Sequence, residues 1–206
     1  DIAREQLDAD PTLADRSPWR EVAAGDADAL AGLGRQGLFE LVFATHAGST
    51  ETDFADEVQA WLAIASHPRL QRPYTETVYQ PMLELLDYLR ARDFRVYIVS
   101  GGGVSFLRAW AEDVYGVPPE NVIGSRVDLV YRVVDGTGRL FREAQISHVN
   151  DGPGKPVGIQ QIIGRRPILA IGNSDGDFEM LEWTTTGPGP GLGVLLHHTD
   201  AEREVA

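Results

Sequence analysis

The chain has 206 residues, 43% of them hydrophobic, with 18 Lys and Arg against 31 Asp and Glu, a formal charge of −13. That length suits one α/β domain, or a modest core domain with a small inserted cap. An acidic chain without a Lys/Arg cluster lacks the electrostatic footprint of a nucleic-acid binder. With no cysteine, disulfides, thiolate catalysis and Cys-ligated zinc are excluded.

Residues 1 to about 70 read as helical and acidic. The opening stretch to Leu7 is charged and helix-like, and Asp10 to Leu13 read as a helix end and turn before a new start at Ser17-Pro18-Trp19. Leu30 to Phe43 carry apolar residues at mixed helical spacing. Ser49 and Thr50 can cap the next helix, with Asp53 in its first turn and Phe54, Val58, Trp61 and Leu62 on its buried face. Trp19, Phe39, Phe43 and Trp61 either line a site or build the core of this region, and core is the expectation. From Tyr79 a further helix begins, with Pro81 as its first residue and Met82, Leu85, Leu86 and Leu89 as its apolar stripe.

Phe94 to Val99 form a β-rich run that ends in Ser100 and three glycines, Gly101, Gly102 and Gly103, before a periodic segment from Val104 to Tyr115. Glycines let backbone approach a ligand closely, and N–H groups at a following helix start attract anions. The dinucleotide fingerprint is broken, because Val104-Ser105-Phe106 supplies no third glycine. Val122-Ile123 read as a short buried strand. Val127 to Val134 and Arg139 to Arg142 read as a hairpin around Asp135-Gly136-Thr137-Gly138.

Asp151-Gly152-Pro153-Gly154-Lys155 then opens a helix carrying Val157, Ile159, Ile162 and Ile163, where the Lys155 ammonium can act as a point charge for phosphate. Ile168 to Ile171 form an apolar run that leads into Gly172-Asn173-Ser174-Asp175-Gly176-Asp177. Such a buried parallel strand delivers oxygen ligands to the carboxyl edge of a sheet, where open α/β folds bind ligands. Oxygen donors this dense suit a hard cation such as Mg²⁺. Pro188 to Gly193 are a turn before a late strand through Val194 to Leu196. His46, His67, His148, His197 and His198 stand at no metal-ligand spacing, and none is assigned a catalytic role.

The order strand–Ser–glycine loop, Gly-Lys-Pro, strand–Gly-Asn-Ser-x-Gly-Asp resembles the haloacid dehalogenase superfamily, and within it the phosphoserine-phosphatase-like branch. Ser100 matches the second motif of that family, Lys155 the third, and Asn173 with Asp177 the fourth. The likeness extends through Pro11 to Trp19, Arg72 to Met82 and Tyr115 to Pro119. It implies a doubly wound, Rossmann-like parallel sheet with a helical cap near the N-terminus, residues 1–75 being cap and 76–206 the α/β core. It also implies a Mg²⁺-dependent phosphomonoester hydrolase acting on a small phosphorylated metabolite through an aspartyl-phosphate. Ser100, Gly101, Gly102 and Lys155 would hold the phosphate, Asn173 and Asp177 the metal, and Lys155 and Asp177 would serve the chemistry. Asn173 stands where many relatives have Asp, so the metal would bind through an amide oxygen.

The nucleophile motif of that family, a first strand ending in Asp-x-Asp-x-Thr, has its letters at Asp8, Asp10 and Thr12, but no apolar run precedes them. The expectation is that Asp8 is no nucleophile and that the chain is a fragment cut before it. An inactive module binding phosphorylated ligands or a protein is the alternative. A dinucleotide-binding oxidoreductase is weakened by the broken fingerprint. A cytoplasmic protein with no nucleic-acid or membrane partner is expected.

Overall fold

The computed structural model describes residues 2–25 and 27–199; Asp1, Asp26, the terminal segment 200–206 and the side chains of residues 2, 27, 31, 35, 36, 38 and 39, Phe39 among them, lie outside the described residues. The chain begins with α1 (Ile2–Ala9), a 3₁₀ turn (Pro11–Asp15), α2 (Trp19–Ala24), α3 (Ala27–Gly32), α4 (Gly34–Thr45) and α5 (Glu51–Leu62). The turn after α1 is closed by Asp10, whose Oδ1 accepts from the Thr12 N–H at 3.1 Å and the Thr12 hydroxyl at 2.6 Å. Asp10 thus caps a turn at the helix end that the sequence suggests. Then follow α6 (Gln80–Arg90), β1 (Ile98–Gly103), α7 (Val104–Arg108), α8 (Ala111–Tyr115), β2 (Val122–Val134), β3 (Thr137–His148), α9 (Gly154–Ile163), β4 (Leu169–Gly172), α10 (Phe178–Thr185) and β5 (Leu192–Leu195).

Three elements differ from the sequence reading. The single helix expected over Val104 to Tyr115 breaks at Trp110, whose φ of −144° lies outside the helical region. The short strand at Val122-Ile123 and the first hairpin arm are one 13-residue strand, because Gly124 and Ser125 continue it without a turn. Trp61 is 45% exposed, stacked on Tyr74 at 5.3 Å between ring centroids, whereas Phe54 and Val58 of the same helix are buried as expected.

The chain divides into two compact units: residues 1–51 with 127–147, and residues 52–126 with 148–206. A division near residue 75 does not coincide with them. In the first unit, Trp19, Val22 and Phe43 are buried, and the Gln6 side chain donates to the Thr45 carbonyl at 2.7 Å. The outer hairpin joins this unit because the Gly48 N–H donates to the Arg142 carbonyl, the Arg142 N–H to that of Ser49, and the Arg142 guanidinium pairs with Glu51.

In the second unit β1 pairs in parallel with β2, and β4 in parallel with β5. Side-chain alternation along the first pair sends residues to opposite faces. Ile98 and Val122 pack with Val104, Ala111 and Val117. Val99 and Ile123 pack with Ile159, Ala170 and Met180. Helices therefore cover both faces, the doubly wound α/β arrangement that the sequence predicts. Among the described residues the strands form two separate sheets, β1-β2-β3 with β1 at its edge, and β4-β5. No helix among the described residues is long and apolar enough to cross a membrane.

Candidate functional site

The glycine-rich segment is a bulge inside β1. Val99 pairs with Ile123 and Gly103 with Ser125, so Ser100, Gly101 and Gly102 stand opposite the single residue Gly124. That crowding requires glycine in β2: a Cβ on Gly124 would lie 2.7 Å from the Gly102 carbonyl oxygen and 2.9 Å from the Val104 backbone. The bulge is tied down from two sides. The Ser125 hydroxyl donates to the Gly101 carbonyl at 2.7 Å, and the Asn150 side-chain amide donates to the Ser100 carbonyl at 2.8 Å. Within it the Gly102 N–H donates to Ser100 Oγ at 3.1 Å. Ser100 Oγ is thus an acceptor in this contact, which does not engage its own hydroxyl proton.

Lys155 is the second residue of α9 and is buried. Its Nζ donates to the Val99 carbonyl at 3.2 Å and forms an ion pair with Asp177 Oδ1. The ammonium therefore meets the backbone of β1 directly before the Ser100 bulge.

Asp177 reaches Lys155 from the other strand pair. After β4, Gly172 admits the Asp177 side chain, since a Cβ there would lie 2.3 Å from Asp177 Cβ. Asp177 Oδ2 accepts from the Asn173 N–H at 2.9 Å, and from the Ser174 N–H and hydroxyl at 3.1 Å each. Ser174 and Asp177 form a reciprocal capping box. Burial pushes the Asp177 carboxyl up, but the Lys155 hydrogen bond, the Asn173 N–H, the Lys155 charge and Ser174 together outweigh it, holding the group below the usual carboxylate range.

The structure thus brings Ser100, Gly101, Gly102, Lys155 and Asp177 to the carboxyl edges of β1 and β4. Asn173 and Asp175 are exposed on the same loop. Both Asp177 oxygens already accept from protein donors, which places this carboxylate as the group that orients Lys155 and closes the Asn173-Ser174 turn. Among the described residues there is no group of three His, Cys, Asp or Glu side chains that could hold a metal ion. Asn173 and Asp177 could supply two of the roughly six oxygens of a Mg²⁺ shell.

Asp8 lies on the exposed end of α1 and Asp10 is occupied as a cap; neither is on a strand. Sequence reasoning passed over Asn150 and Ser125, which are fully buried. A small polar residue inside the apolar run of β2 was the signal for Ser125, because burying a hydroxyl is costly unless it is bonded. Asn150 carried no comparable mark.

Residues 5–182 match the model of one protein family, described as haloacid dehalogenase-like hydrolase. No curated protein matches the chain. Among solved structures, the chain is similar to a conserved protein of unknown function from Anaerococcus prevotii DSM 20548, with TM-score 0.57 and 20% identity. The match covers 76% of this chain and 46% of that one, so the chain spans about half that protein's length. That likeness concerns the fold. A phosphoserine phosphohydrolase-like protein from Francisella tularensis subsp. tularensis SCHU S4 matches with TM-score 0.42 and 20% identity, over 88% of this chain and 73% of that one. At that TM-score the likeness is too loose to inform the site.

Proposed function

The chain belongs to the haloacid dehalogenase-like hydrolases, and from that premise we propose that it serves hydrolysis of phosphate monoesters of small metabolites, in the manner of the phosphoserine-phosphatase-like branch. The observation that carries this reading is the buried Lys155–Asp177 pair set against the Ser100 bulge. A phosphoryl group carries charge on several oxygens and asks chiefly for positioned donors and positive charge. Ser100 Oγ would donate to a non-bridging oxygen. Lys155, steadied by Asp177, would neutralise charge on the phosphoryl group. The bulged backbone at Gly101 and Gly102 would let the ligand approach closely.

In this reading the nucleophile is an aspartate that is neither Asp8 nor Asp10, borne on a strand between β1 and β4. What supports it is that each of those strands stands at a sheet edge among the described residues, and that the Lys155 ammonium meets β1 at the Val99 carbonyl, directly before the Ser100 bulge. That carboxylate would also supply a metal ligand beside Asn173 and Asp177. Bound Mg²⁺ would offset repulsion between the carboxylate and the phosphate.

A second reading, a module that binds phosphorylated ligands without turning them over, is favoured by the helical and capped setting of Asp8 and Asp10. Steady-state assays of the protein on a panel of phosphomonoesters separate the two. Mg²⁺-dependent release of phosphate that falls at least a hundredfold in Lys155→Ala is expected. Saturable phosphate binding with no turnover would favour the module, and neither binding nor turnover would overturn both.

A further inference from the structure

The polar groups under the bulge form a connected set that phosphate chemistry does not by itself require. Asn150 is fully buried and follows β3. Its backbone N–H donates to Ser125 Oγ at 3.0 Å, and that hydroxyl donates to the Gly101 carbonyl at 2.7 Å. Its side-chain N–H donates to the Ser100 carbonyl at 2.8 Å. The amide oxygen, thereby turned the other way, lies 3.2 Å from His148 Nε2. As that oxygen only accepts, Nε2 carries the proton.

The same oxygen rests on α9. A Cβ on Gly158 would stand 2.2 Å from Asn150 Oδ1 and 3.1 Å from His148 Nε2. Gly158 lies one turn beyond Lys155 on that helix, and its lack of a side chain is what lets Asn150 seat against it. One residue therefore touches the strand that carries Ser100, the strand that carries Ser125, and the helix that carries Lys155.

We propose that Asn150 is the positioning residue of the phosphate site: it fixes the Ser100–Gly102 bulge relative to the Lys155 helix, acting through the Ser100 and Gly101 carbonyls. The proposal rests on the phosphate reading above and names a residue through which that site is set. A bulge of three residues opposite one has several ways to lie, and the carbonyls of Ser100 and Gly101 are the handles that select one of them. Buried polar networks of this kind act by specifying a single arrangement as much as by adding stability.

Two readouts on the same variants test it. The first is amide hydrogen exchange at Gly102, whose N–H bonds to Ser100 Oγ and reports the bulge whether or not phosphate binds. The second is the Kd for inorganic phosphate with Mg²⁺ present. In Asn150→Ala the Gly102 amide should exchange at least tenfold faster, while amides of α6 keep their rates. Phosphate affinity should fall about tenfold, the value of one lost hydrogen bond. Ser100→Ala should fall by a similar factor, and the Ser100→Ala/Asn150→Ala double variant should be no weaker than the weaker single, since both act through one hydroxyl. Ser125→Ala, a milder change, should move both readouts in the same direction if Asn150→Ala does not fold.

Unchanged Gly102 exchange in Asn150→Ala and Ser125→Ala, or phosphate losses that simply add in the double variant, overturn the proposal. If the unaltered protein binds no phosphate while Gly102 exchange still rises in the variants, the phosphate reading fails and the bracket at Asn150 stands.

Discussion

Replacing Lys155 with alanine is expected to destabilise the protein by about 3–5 kcal/mol at pH 7, because it leaves the buried Asp177 carboxylate without its partner. The cost comes from the uncompensated charge more than from the lost attraction. The double variant Lys155→Met/Asp177→Leu, which removes both charges, is therefore expected to lose less than Lys155→Ala alone. Urea unfolding at pH 7 measures all three. The pH dependence gives an independent check. The folded-state pKa of Asp177 lies below its ordinary value, so its stabilisation is present above the unfolded-state value of about 3.9 and is lost as pH falls through the folded one. The intact protein should therefore lose stability on acidification below about pH 4, and Asp177→Asn should remove that part of the slope. An Asp177→Asn profile parallel to that of the intact protein would show that the pair contributes nothing.

The second large effect is expected at Gly124. Its missing side chain is what allows the bulge, since a Cβ would meet the backbone of Gly102 and Val104 at 2.7–2.9 Å. These are main-chain atoms held by a strand and a helix start, with no flexible side chain to yield. Gly124→Ala is expected to cost about 1–3 kcal/mol of stability, as overpacking does, and to weaken phosphate binding together with it, because the bulge must move to make room. Gly32→Ala, in α3 with nothing within 4 Å of the added atom, is the matched control and should leave both unchanged. Thermal unfolding and a phosphate titration of the two variants decide the matter; a Gly124→Ala protein as stable and as avid as the control would contradict the bulge account.

The sequence marks Ser100, Lys155 and Asp177 more plainly than the contacts that hold them. Lys155, Asp177 and Ser100 were legible because each follows an apolar run or a glycine turn, the punctuation by which parallel strands deliver side chains to a sheet edge. The helix end at Asp10 was legible for the same kind of reason, through the Asp-Pro-Thr turn. What the sequence concealed were relations between distant segments. That three residues of β1 face one glycine of β2 depends on register, which no single-strand pattern encodes. That Asn150 braces Ser100 depends on a contact across 50 positions. The outer arms of β2 and β3 belong with residues 48–51 through backbone bonds at Gly48, Ser49 and Arg142, and backbone bonding leaves no mark in side-chain periodicity. The loop sequence leaves Asp177 either ligating a metal through water or orienting Lys155, and it cannot display that Lys155, the Asn173 N–H and the Ser174 N–H and hydroxyl all donate to this carboxylate.

The central claim is that Ser100, Lys155 and the Asn173–Asp177 turn form one phosphate site. A titration of the ¹⁵N-labelled chain with inorganic phosphate in Mg²⁺ buffer, followed by amide chemical shifts, tests it most directly. Saturable shifts are expected at residues 100–103, 154, 155 and 173–177, abolished by Ser100→Ala together with Lys155→Met. Shifts that do not saturate, or that fall elsewhere on the protein, would contradict it.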